Sequence, residues 1–441
     1  MTDPGCHLWW PDALGSPPHD APWTPIRTPA FQRREHHTTG LHRLPGRVPD
    51  WAEDLFRVAR ATFIADKYAR RHHTPDRWTR RITLSVPVTE HGRWQRPDVL
   101  GHLATLLQTL TGDFWTLDLR PLKGGHTQEA MIAPDEQRAS EVALFSGGLD
   151  SLSWAATRAR ADDSRPLLLV MFHEINLKSL QQGVYAAATH RSTRPVSLLW
   201  MDQRPNGDGT GQRLEPSSRT RGLLYATGAV RAATAHGVRT VHIPENGQVA
   251  LNPPLTAARS AALSTRSVHP ATLHRLNAVL DAVSDPGTGI RVVNPWALRT
   301  KGEVCRQALD AGLHPCHLEA TLSCGRPPTR RKGRPPLANC GLCFPCLVRR
   351  SGLLHASGTD GTPYERSPWS DSLSSDRLTD WRALERWLRT SYTPADLLTD
   401  TPLPPGTDRE QAFDVITRGR EELAGLWSAA AREASPRQHT T

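Results

Sequence analysis

The spacing of apolar residues changes near residue 140 and divides the chain into regions of different character. Ahead of that point, two stretches show helical spacing and two shorter ones alternate as strands do. The helical stretches are Trp51–Arg71 and Val99–Leu110, and the alternating ones are Arg81–Val88 and Phe114–Leu119. We predict a small α+β domain over residues 51–140. Residues 1–50 show no steady period and are rich in Pro, His, Arg and Trp, so we predict an irregular N-terminal arm there.

From Glu141 onward, short apolar runs that favour strands alternate with stretches of helical spacing. The runs are Val142–Phe145, Leu167–Phe172, Val196–Met201, Thr240–Ile243 and Ile290–Val293. The helical stretches are Leu152–Arg160, Ser179–His190, Arg219–His236, Pro270–Val283 and Lys301–Gly312. Such alternation is typical of a parallel sheet with helices on both faces, which binds ligands at the carboxyl ends of its strands. We therefore predict an α/β domain with a doubly wound parallel sheet over residues 141–357.

The remaining residues, 358–441, begin with a segment rich in Gly, Ser, Asp and Pro. These residue types favour a linker. Asp376–Leu388 and Glu410–Glu433 have helical spacing, so we predict that the chain ends in a small helical tail.

Composition adds a basic balance to this picture. The 441 residues carry a formal net charge of +10, which favours nucleotides, nucleic acid or an acidic protein as partners, although solvated surface charge is an equal alternative. No run of about 18 apolar residues predicts a membrane span, and the N-terminus lacks the pattern of a signal peptide. We therefore expect a cytoplasmic protein, in which clustered cysteines favour metal binding over disulfides.

The most informative motif is Ser146-Gly147-Gly148-Leu149-Asp150-Ser151, which lies between a predicted strand and a predicted helix. Glycines let backbone N–H groups approach phosphate oxygens, and a helix N-terminus adds donors and partial positive charge. Ser146 and Ser151 can add hydroxyl hydrogen bonds, and Asp150 occupies a helix-cap position from which it can help to hold Mg²⁺. The hexapeptide has no Lys of the Walker A kind, so it predicts a different class of ATP site.

Four cysteines, Cys324, Cys340, Cys343 and Cys346, have the spacing of a metal site. Four thiolates complete the tetrahedral shell of Zn²⁺ and leave no open position, so we predict a structural zinc site. An iron–sulfur centre and four unrelated thiols are the alternatives.

The segment from Cys324 to Arg350 has basic residues and no acidic ones. They are Arg326, Arg330, Arg331, Lys332, Arg334, Arg349 and Arg350. They predict either contact with an anionic partner such as tRNA or a solvated surface loop.

Together, these motifs resemble the 7-cyano-7-deazaguanine synthase (QueC) family of the PP-loop ATP-pyrophosphatase superfamily. The resemblance covers roughly residues 141–357. Besides the hexapeptide and the cysteines, it includes the following segments: Arg219–Tyr225, Asn294-Pro295 with Thr300-Lys301-Gly302-Glu303, and Thr321–Cys324. The longer chain looks most like the QueC-like (QatC-like) proteins of antiphage defence systems.

The resemblance implies an ATP-dependent ligase that adenylates the carboxylate of 7-carboxy-7-deazaguanine, releases pyrophosphate, and forms an amide or nitrile. On this basis Ser146, Asp150 and Lys301 are the catalytic candidates, with ATP, Mg²⁺ and structural Zn²⁺ as cofactors. The predicted ATP-binding residues are Ser146, Gly147, Gly148, Leu149, Asp150, Ser151, Phe172, Arg219 and Lys301. In antiphage relatives the resemblance implies another acceptor than ammonia, such as an amine of a partner protein.

The segment between Pro244 and Pro270 departs from the family pattern where the acceptor pocket is expected. Glu245, Asn246 and Asn252 are candidates for reading a purine-like base, while Arg266 and His269 are candidates for binding the substrate carboxylate; loop scaffolding is the alternative role for each. Two other functions remain open, namely a tRNA-modifying PP-loop enzyme and a non-catalytic subunit that binds nucleotide.

Overall fold

The structure, a computed structural model, contains two parallel sheets. It describes residues 5–11, 18, 22–26, 44–122, 137–172, 177–201, 213–217, 219–255, 266–325, 337–369 and 378–434. The first sheet has the strand order β2-β1-β3-β4. Its strands are β1 (Cys6–Trp9), β2 (Thr24–Pro25), β3 (Arg81–Val88) and β4 (Phe114–Pro121). Three helices accompany them: α1 (Asp50–Tyr68), α2 (His91–Trp94) and α3 (Pro97–Thr111).

Two of these strands come from the segment that the sequence predicts as an irregular arm. Residues Cys6–Trp9 pair in parallel with Ile82–Ser85 of β3, and Thr24–Pro25 pair with the outer side of β1. A strand of four residues is too short for an alternating pattern to stand out, and its partner lies more than 70 residues away in the chain. The division into domains stays a prediction, but part of the arm belongs to the first sheet.

The second sheet has five parallel strands in the order β7-β6-β5-β8-β9. They are β5 (Glu141–Leu144), β6 (Leu167–Phe172), β7 (Val196–Met201), β8 (Thr240–His242) and β9 (Arg291–Val293). The helices of this part are α4 (Leu149–Ala159), α5 (Lys178–Thr189), α6 (Arg221–His236), α7 (Gly247–Leu251), α8 (Pro270–Val283) and α9 (Lys301–Asp310). This architecture confirms the prediction of a parallel sheet with helices on both faces.

Successive residues of a strand point to opposite sides of the sheet, so a strand of consecutive apolar residues makes both faces apolar. In β6, Leu168 and Val170 belong to one core cluster, whereas Leu169 and Met171 belong to another. The first cluster also includes side chains of α1, α3, α6 and α8, so one core joins the two sheets. Burial of each large aliphatic side chain contributes roughly 1.5–3 kcal/mol.

Two further helices follow α9, namely α10 (Pro315–Glu319) and α11 (Phe344–Ser357). The C-terminal region beyond them is helical, as predicted, and comprises α12 (Thr379–Arg389), α13 (Pro394–Asp400) and α14 (Arg409–Ala434). A third core cluster joins α11 to this region, with Leu347, Trp387 and Ile416 among its buried members. The tail is therefore packed on the α/β part by apolar contacts.

In the part of the chain that the structure describes, no helix combines the length and the apolar character that crossing a membrane requires.

The strand order determines where a ligand is expected. The chain moves outward from β5 through β6 to β7 on one side, and then continues through β8 to β9 on the other. In open parallel sheets, ligands bind at such a switch point, outside the carboxyl ends of the strands. The segments that follow β5 and β8 meet there, and they contain Ser146–Ser151 and Glu245-Asn246.

Candidate functional site

The hexapeptide Ser146–Ser151 connects the central strand β5 with the start of α4. Gly147 has a φ of +81°, a left-handed conformation that glycine adopts without steric cost. A Cβ atom on Gly148 would lie 3.2 Å from Ser146 Oγ and 3.4 Å from Leu322 O, so this turn has little spare room. The first N–H groups of α4 therefore lie at the carboxyl edge of the sheet, an arrangement that suits an anion.

Side-chain hydroxyls hold the turn together. Ser146 Oγ accepts a hydrogen bond from Gly148 N at 3.2 Å and lies 3.2 Å from Ser151 Oγ. Asp150 does not cap the helix as the sequence suggests, because Gly148 is the N-cap residue and Asp150 lies in the first turn. An acidic residue there is still favoured by the helix dipole.

A buried charged group lies beside the loop. Lys301 forms an ion pair with Asp150 Oδ2, and Lys301 is only 3% exposed. Burial lowers the pKa of Lys301, but the charges of Asp150 and Glu245 outweigh this effect and hold the pKa above its usual value. Burial and the charge of Asp150 raise the pKa of Glu245 well above its usual range. The site therefore combines one lysine cation with two carboxyl groups that compete for it.

Asn246 orients these groups. Its Nδ2 donates to Glu245 Oε1 at 2.8 Å and to Asp150 Oδ2 at 3.3 Å, while its Oδ1 accepts from Val249 N at 3.1 Å as the cap of α7. Asn246 is fully buried and both ends of its amide are engaged. These contacts give it a positioning role, and they do not support the prediction that it reads a base.

The start of α9 fixes Lys301. Thr300 Oγ1 accepts from Glu303 N at 3.2 Å, and Thr300 N donates to Glu303 Oε2 at 3.1 Å, which makes a capping box. Lys301 N donates to Gln248 Oε1 at 2.8 Å. The backbone that carries the lysine is thus fixed from two directions.

Phe172 ends β6 and stacks on Tyr225 of α6, with ring centroids 4.2 Å apart. Gln181 Nε2 donates to both Ser146 O at 3.2 Å and Phe172 O at 3.3 Å, so a single buried amide joins Phe172 to the Ser146–Ser151 loop. The sequence does not identify Gln181 as a site residue, because a lone Gln within a predicted helix carries no local signal.

Arg219 and Arg266 are brought together, but at the C-terminal end of α3. Arg219 Nη1 donates to Thr111 O at 2.9 Å, and Arg266 Nη1 donates to Thr109 O at 3.1 Å. Burial, followed by the charges of Arg71 and Arg266, lowers the pKa of Arg219 to about 10. Helix C-terminal carbonyls attract cations, so both side chains have a structural role here. Their roles toward phosphate and carboxylate stay predictions.

Asn252 and His269 occupy helix ends as well. Asn252 is the C-cap residue of α7 with a φ of +43°. His269 Nδ1 accepts from Ala271 N at 3.1 Å as the cap of α8, and His269 is 2% exposed. Burial and the charges of Arg275 and Arg266 lower the pKa of His269 to about 4, so the ring is neutral at pH 7. A neutral, buried ring is a poor partner for the carboxylate that the sequence assigns to it.

The four cysteines converge as the sequence predicts. The Sγ atoms of Cys324, Cys340, Cys343 and Cys346 all lie within 4.8 Å of one another. Three of the separations are 3.4, 3.8 and 3.9 Å. A zinc–sulfur distance of about 2.3 Å gives a tetrahedral edge of about 3.8 Å. The thiols thus fit a four-coordinate metal ion.

This cluster adjoins the Ser146–Ser151 loop. Ser323, next to Cys324, accepts a hydrogen bond from Leu149 N at the start of α4, at 3.3 Å. The fully buried Arg349 fixes the same segment, since its Nη1 donates to Thr321 Oγ1 at 2.7 Å. Support of the loop is thus one consequence of the cysteine cluster.

Two of the basic residues near the cysteines turn out to be structural. Arg349 is buried against Leu318 O and Thr321, and Arg350 lies over the Tyr364 ring at 3.5 Å. Neither is the exposed partner-binding residue that the basic segment suggests. The other five, Arg326 and those between Arg330 and Arg334, lie outside the described residues.

Comparison with known proteins gives one similarity that bears on this site. The chain is 26% identical over 254 residues to a 7-cyano-7-deazaguanine synthase from Syntrophobacter fumaroxidans, and the match covers 52% of this chain and 98% of that protein. No family model matches the chain, and no solved structure matches it either. The similarity supports the resemblance to the 7-cyano-7-deazaguanine synthase family, and it leaves about half of this chain without a counterpart in that relative.

Proposed function

We propose that the protein is an ATP-dependent ligase that adenylates the carboxylate of 7-carboxy-7-deazaguanine, or of a similar deazapurine acid, and releases pyrophosphate. The observation that carries this proposal is the Asp150–Lys301 pair at the switch point of the sheet, beside a glycine-rich loop at a helix N-terminus. The similarity to a 7-cyano-7-deazaguanine synthase supports the choice of acid.

Each part of the site has a role in this proposal. The partial positive charge at the start of α4 and the hydroxyls of Ser146 and Ser151 attract the phosphates that leave as pyrophosphate. Lys301 neutralises the negative charge that develops on the leaving group. An oxygen of the acid attacks the α-phosphorus, the bond to the bridging oxygen breaks, and an acyl adenylate forms. An amine then attacks the acyl carbon, and AMP leaves. The protein contributes mainly positioning and charge stabilisation.

Asp150 and Glu245 are the residues that would hold Mg²⁺. Asp150 Oδ1 is buried and has no hydrogen-bond partner among the residues that the structure describes, so it is a suitable ligand atom. Mg²⁺ usually takes one or two carboxylates together with phosphate oxygens and water. When bound, the ion supplies charge neutralisation at the phosphates. The cysteine cluster would hold a structural Zn²⁺.

A direct test is incubation of the protein with ATP, Mg²⁺, 7-carboxy-7-deazaguanine and ammonium chloride, which supplies the amine that displaces AMP, followed by measurement of AMP and pyrophosphate. We expect both products in equal amounts. The variant Ser146→Ala with Asp150→Ala should release neither, and retained activity in that variant would place the chemistry elsewhere. Tight binding of ATP without any release of pyrophosphate, with every deazapurine acid tried, would favour a non-catalytic nucleotide-binding subunit.

The amine acceptor is a separate part of the proposal. We propose either ammonia or an amine of a partner protein, the second in an antiphage defence role. The half of the chain without a counterpart in the bacterial relative supports the partner protein, because it provides surface that the relative lacks. Intact-mass measurement of co-expressed candidate partners should show an adduct of deazaguanine size. A nitrile or amide of the free base as the sole product, with ammonia as the amine, would exclude the partner.

A further inference from the structure

The first turn of α9 has an unusually complete set of hydrogen-bond acceptors. A helix leaves its first N–H groups without partners inside the helix. Here Lys301 N donates to Gln248 Oε1 at 2.8 Å, Gly302 N donates to Glu422 Oε2 at 3.0 Å, and Glu303 N donates to Thr300 Oγ1 at 3.2 Å. All three donors of the turn that carries Lys301 are therefore occupied by the protein itself.

One of these acceptors comes from the far end of the chain. Glu422 lies in α14, is 6% exposed, and accepts from the Thr300 hydroxyl as well as from Gly302 N. Its two carboxylate oxygens thus bind the cap residue and the second residue of α9. A carboxylate at a helix N-terminus is further stabilised by the helix dipole.

Glycines allow the close approach that these contacts need. A Cβ atom on Gly302 would lie 2.5 Å from Glu422 Oε1 and 2.7 Å from His355 Cδ2. A Cβ on Gly419, one turn before Glu422 in α14, would lie 2.6 Å from Gln248 Cδ. A Cβ on Gly352 of α11 would lie 2.8 Å from Lys301 Cβ. Helices α11 and α14 therefore pack closely around the first turn of α9, at positions where any side chain would push the helices apart.

A second contact joins α14 to the first turn of α9. Arg418 of α14 forms an ion pair with Glu303, the residue that completes the capping box, and its Nη2 donates to Leu298 O at 3.2 Å. The same face of α14 thus contacts both sides of the first turn of α9.

We propose that Glu422 is a positioning residue for Lys301, so that the C-terminal helix α14 is a working part of the ATP site. The Glu422 carboxylate fixes the first turn of α9, and that part of the helix places the Lys301 ammonium against Asp150 and the phosphates of ATP. This inference rests on the proposed function of Lys301 in binding ATP.

The test measures binding of α,β-methylene-ATP with Mg²⁺ to the full-length protein by titration calorimetry, so it does not depend on the identity of the acid. Glu422→Gln keeps the size of the side chain but replaces one acceptor oxygen with a donor. We expect binding about tenfold weaker than in the wild type. Arg420→Ala is the matched control, because Arg420 lies on the same helix and donates to Trp387 O and Thr390 O without contacting α9. This control should bind within twofold of the wild type.

A double-mutant cycle separates positioning from general damage. If Glu422 acts through Lys301, Glu422→Gln should have no further effect on binding in a Lys301→Met background. An equal loss in both backgrounds, or wild-type affinity in Glu422→Gln, would overturn the inference. Glu422→Met, which has a similar length and no acceptor oxygen, replaces Glu422→Gln in the cycle if that variant does not fold. If the wild type binds the analogue and the cycle shows the expected loss of affinity, but the protein forms no AMP, only the proposed reaction is contradicted. If the wild type does not bind the analogue, both the proposed reaction and the role of Glu422 are overturned.

Discussion

Replacement of Lys301 by Met tests the buried charged group directly. Lys301 is the cation between Asp150 and Glu245, and it is almost fully buried. Met has nearly the same length and volume, so the change removes the charge with little loss of packing. It leaves two neighbouring carboxyl groups without their cation.

The expected cost in the free energy of unfolding is about 3 kcal/mol at pH 7.5. Removing one partner of a buried ion pair usually costs about 3–5 kcal/mol, because the other charge stays desolvated. We expect the lower end because the pKa of Glu245 is already raised, so this carboxyl group readily takes up a proton and relieves part of the repulsion. A loss of this size lowers the folding equilibrium constant roughly 100-fold.

The assay is equilibrium urea unfolding monitored by tryptophan fluorescence, with matched zinc content. The control is Asp150→Asn with Lys301→Met, which removes both charges and should be at least about 1 kcal/mol more stable than Lys301→Met alone. The pH dependence has a definite sign. In Lys301→Met, Glu245 loses the cation that opposes its raised pKa and binds its proton still more tightly in the folded state, so the stability deficit of the variant should shrink as the pH falls from 8 to 5.5. A Lys301→Met protein within about 0.5 kcal/mol of the wild type, or a double variant that is less stable than the single one, would refute this reasoning.

Three further predictions concern the neighbouring parts of the site. Gly147→Ala should lower stability by about 1–2 kcal/mol and weaken ATP-analogue binding, because Gly147 has a left-handed φ of +81°. Gly101→Ala, in an open helical position, should instead be neutral or stabilising by up to about 1 kcal/mol in the same urea-unfolding assay. Cys343→Ser should lose the bound metal in elemental analysis and also weaken ATP-analogue binding, since the cluster supports the Ser146–Ser151 loop through Ser323. The control Cys316→Ser, at an exposed cysteine, should change neither metal content nor binding. Full metal retention in Cys343→Ser would contradict the four-ligand site. Glu245→Gln should raise stability more at pH 8 than at pH 5, because a carboxyl group with a raised folded-state pKa costs stability increasingly as the pH rises above the pKa of the unfolded state. A pH-independent difference between the variant and the wild type would contradict this.

Much of the framework could be predicted because the signals are local. The apolar runs fix the bounds of β6 and β7, and Pro270 marks the start of α8 by its preference for the first turn of a helix. The hexapeptide and the cysteines are also read from consecutive or closely spaced residues. In each case the sequence contains the pattern that the structure uses.

The rest depends on contacts that have no local pattern. Glu422 and Gln248 are ordinary polar residues until the tail packs against α9, and Arg349 resembles a surface charge until its side chain is seen inside the protein. The family resemblance predicts a phosphate role for Arg219, and the loop position of His269 suggests a substrate role, yet both side chains contact helix ends in the structure. The sequence alone does not show which distant side chain will lie against a given helix end.

The single core that joins the two sheets also sets an order for folding during synthesis. Helices α1 and α3 bury their apolar faces against α6 and α8, which are made much later. At a synthesis rate of about 5–20 residues per second, on the order of ten seconds pass between the synthesis of the first sheet and that of α6 and α8. During that interval the emerging N-terminal half presents an uncovered apolar surface, the kind that chaperones bind.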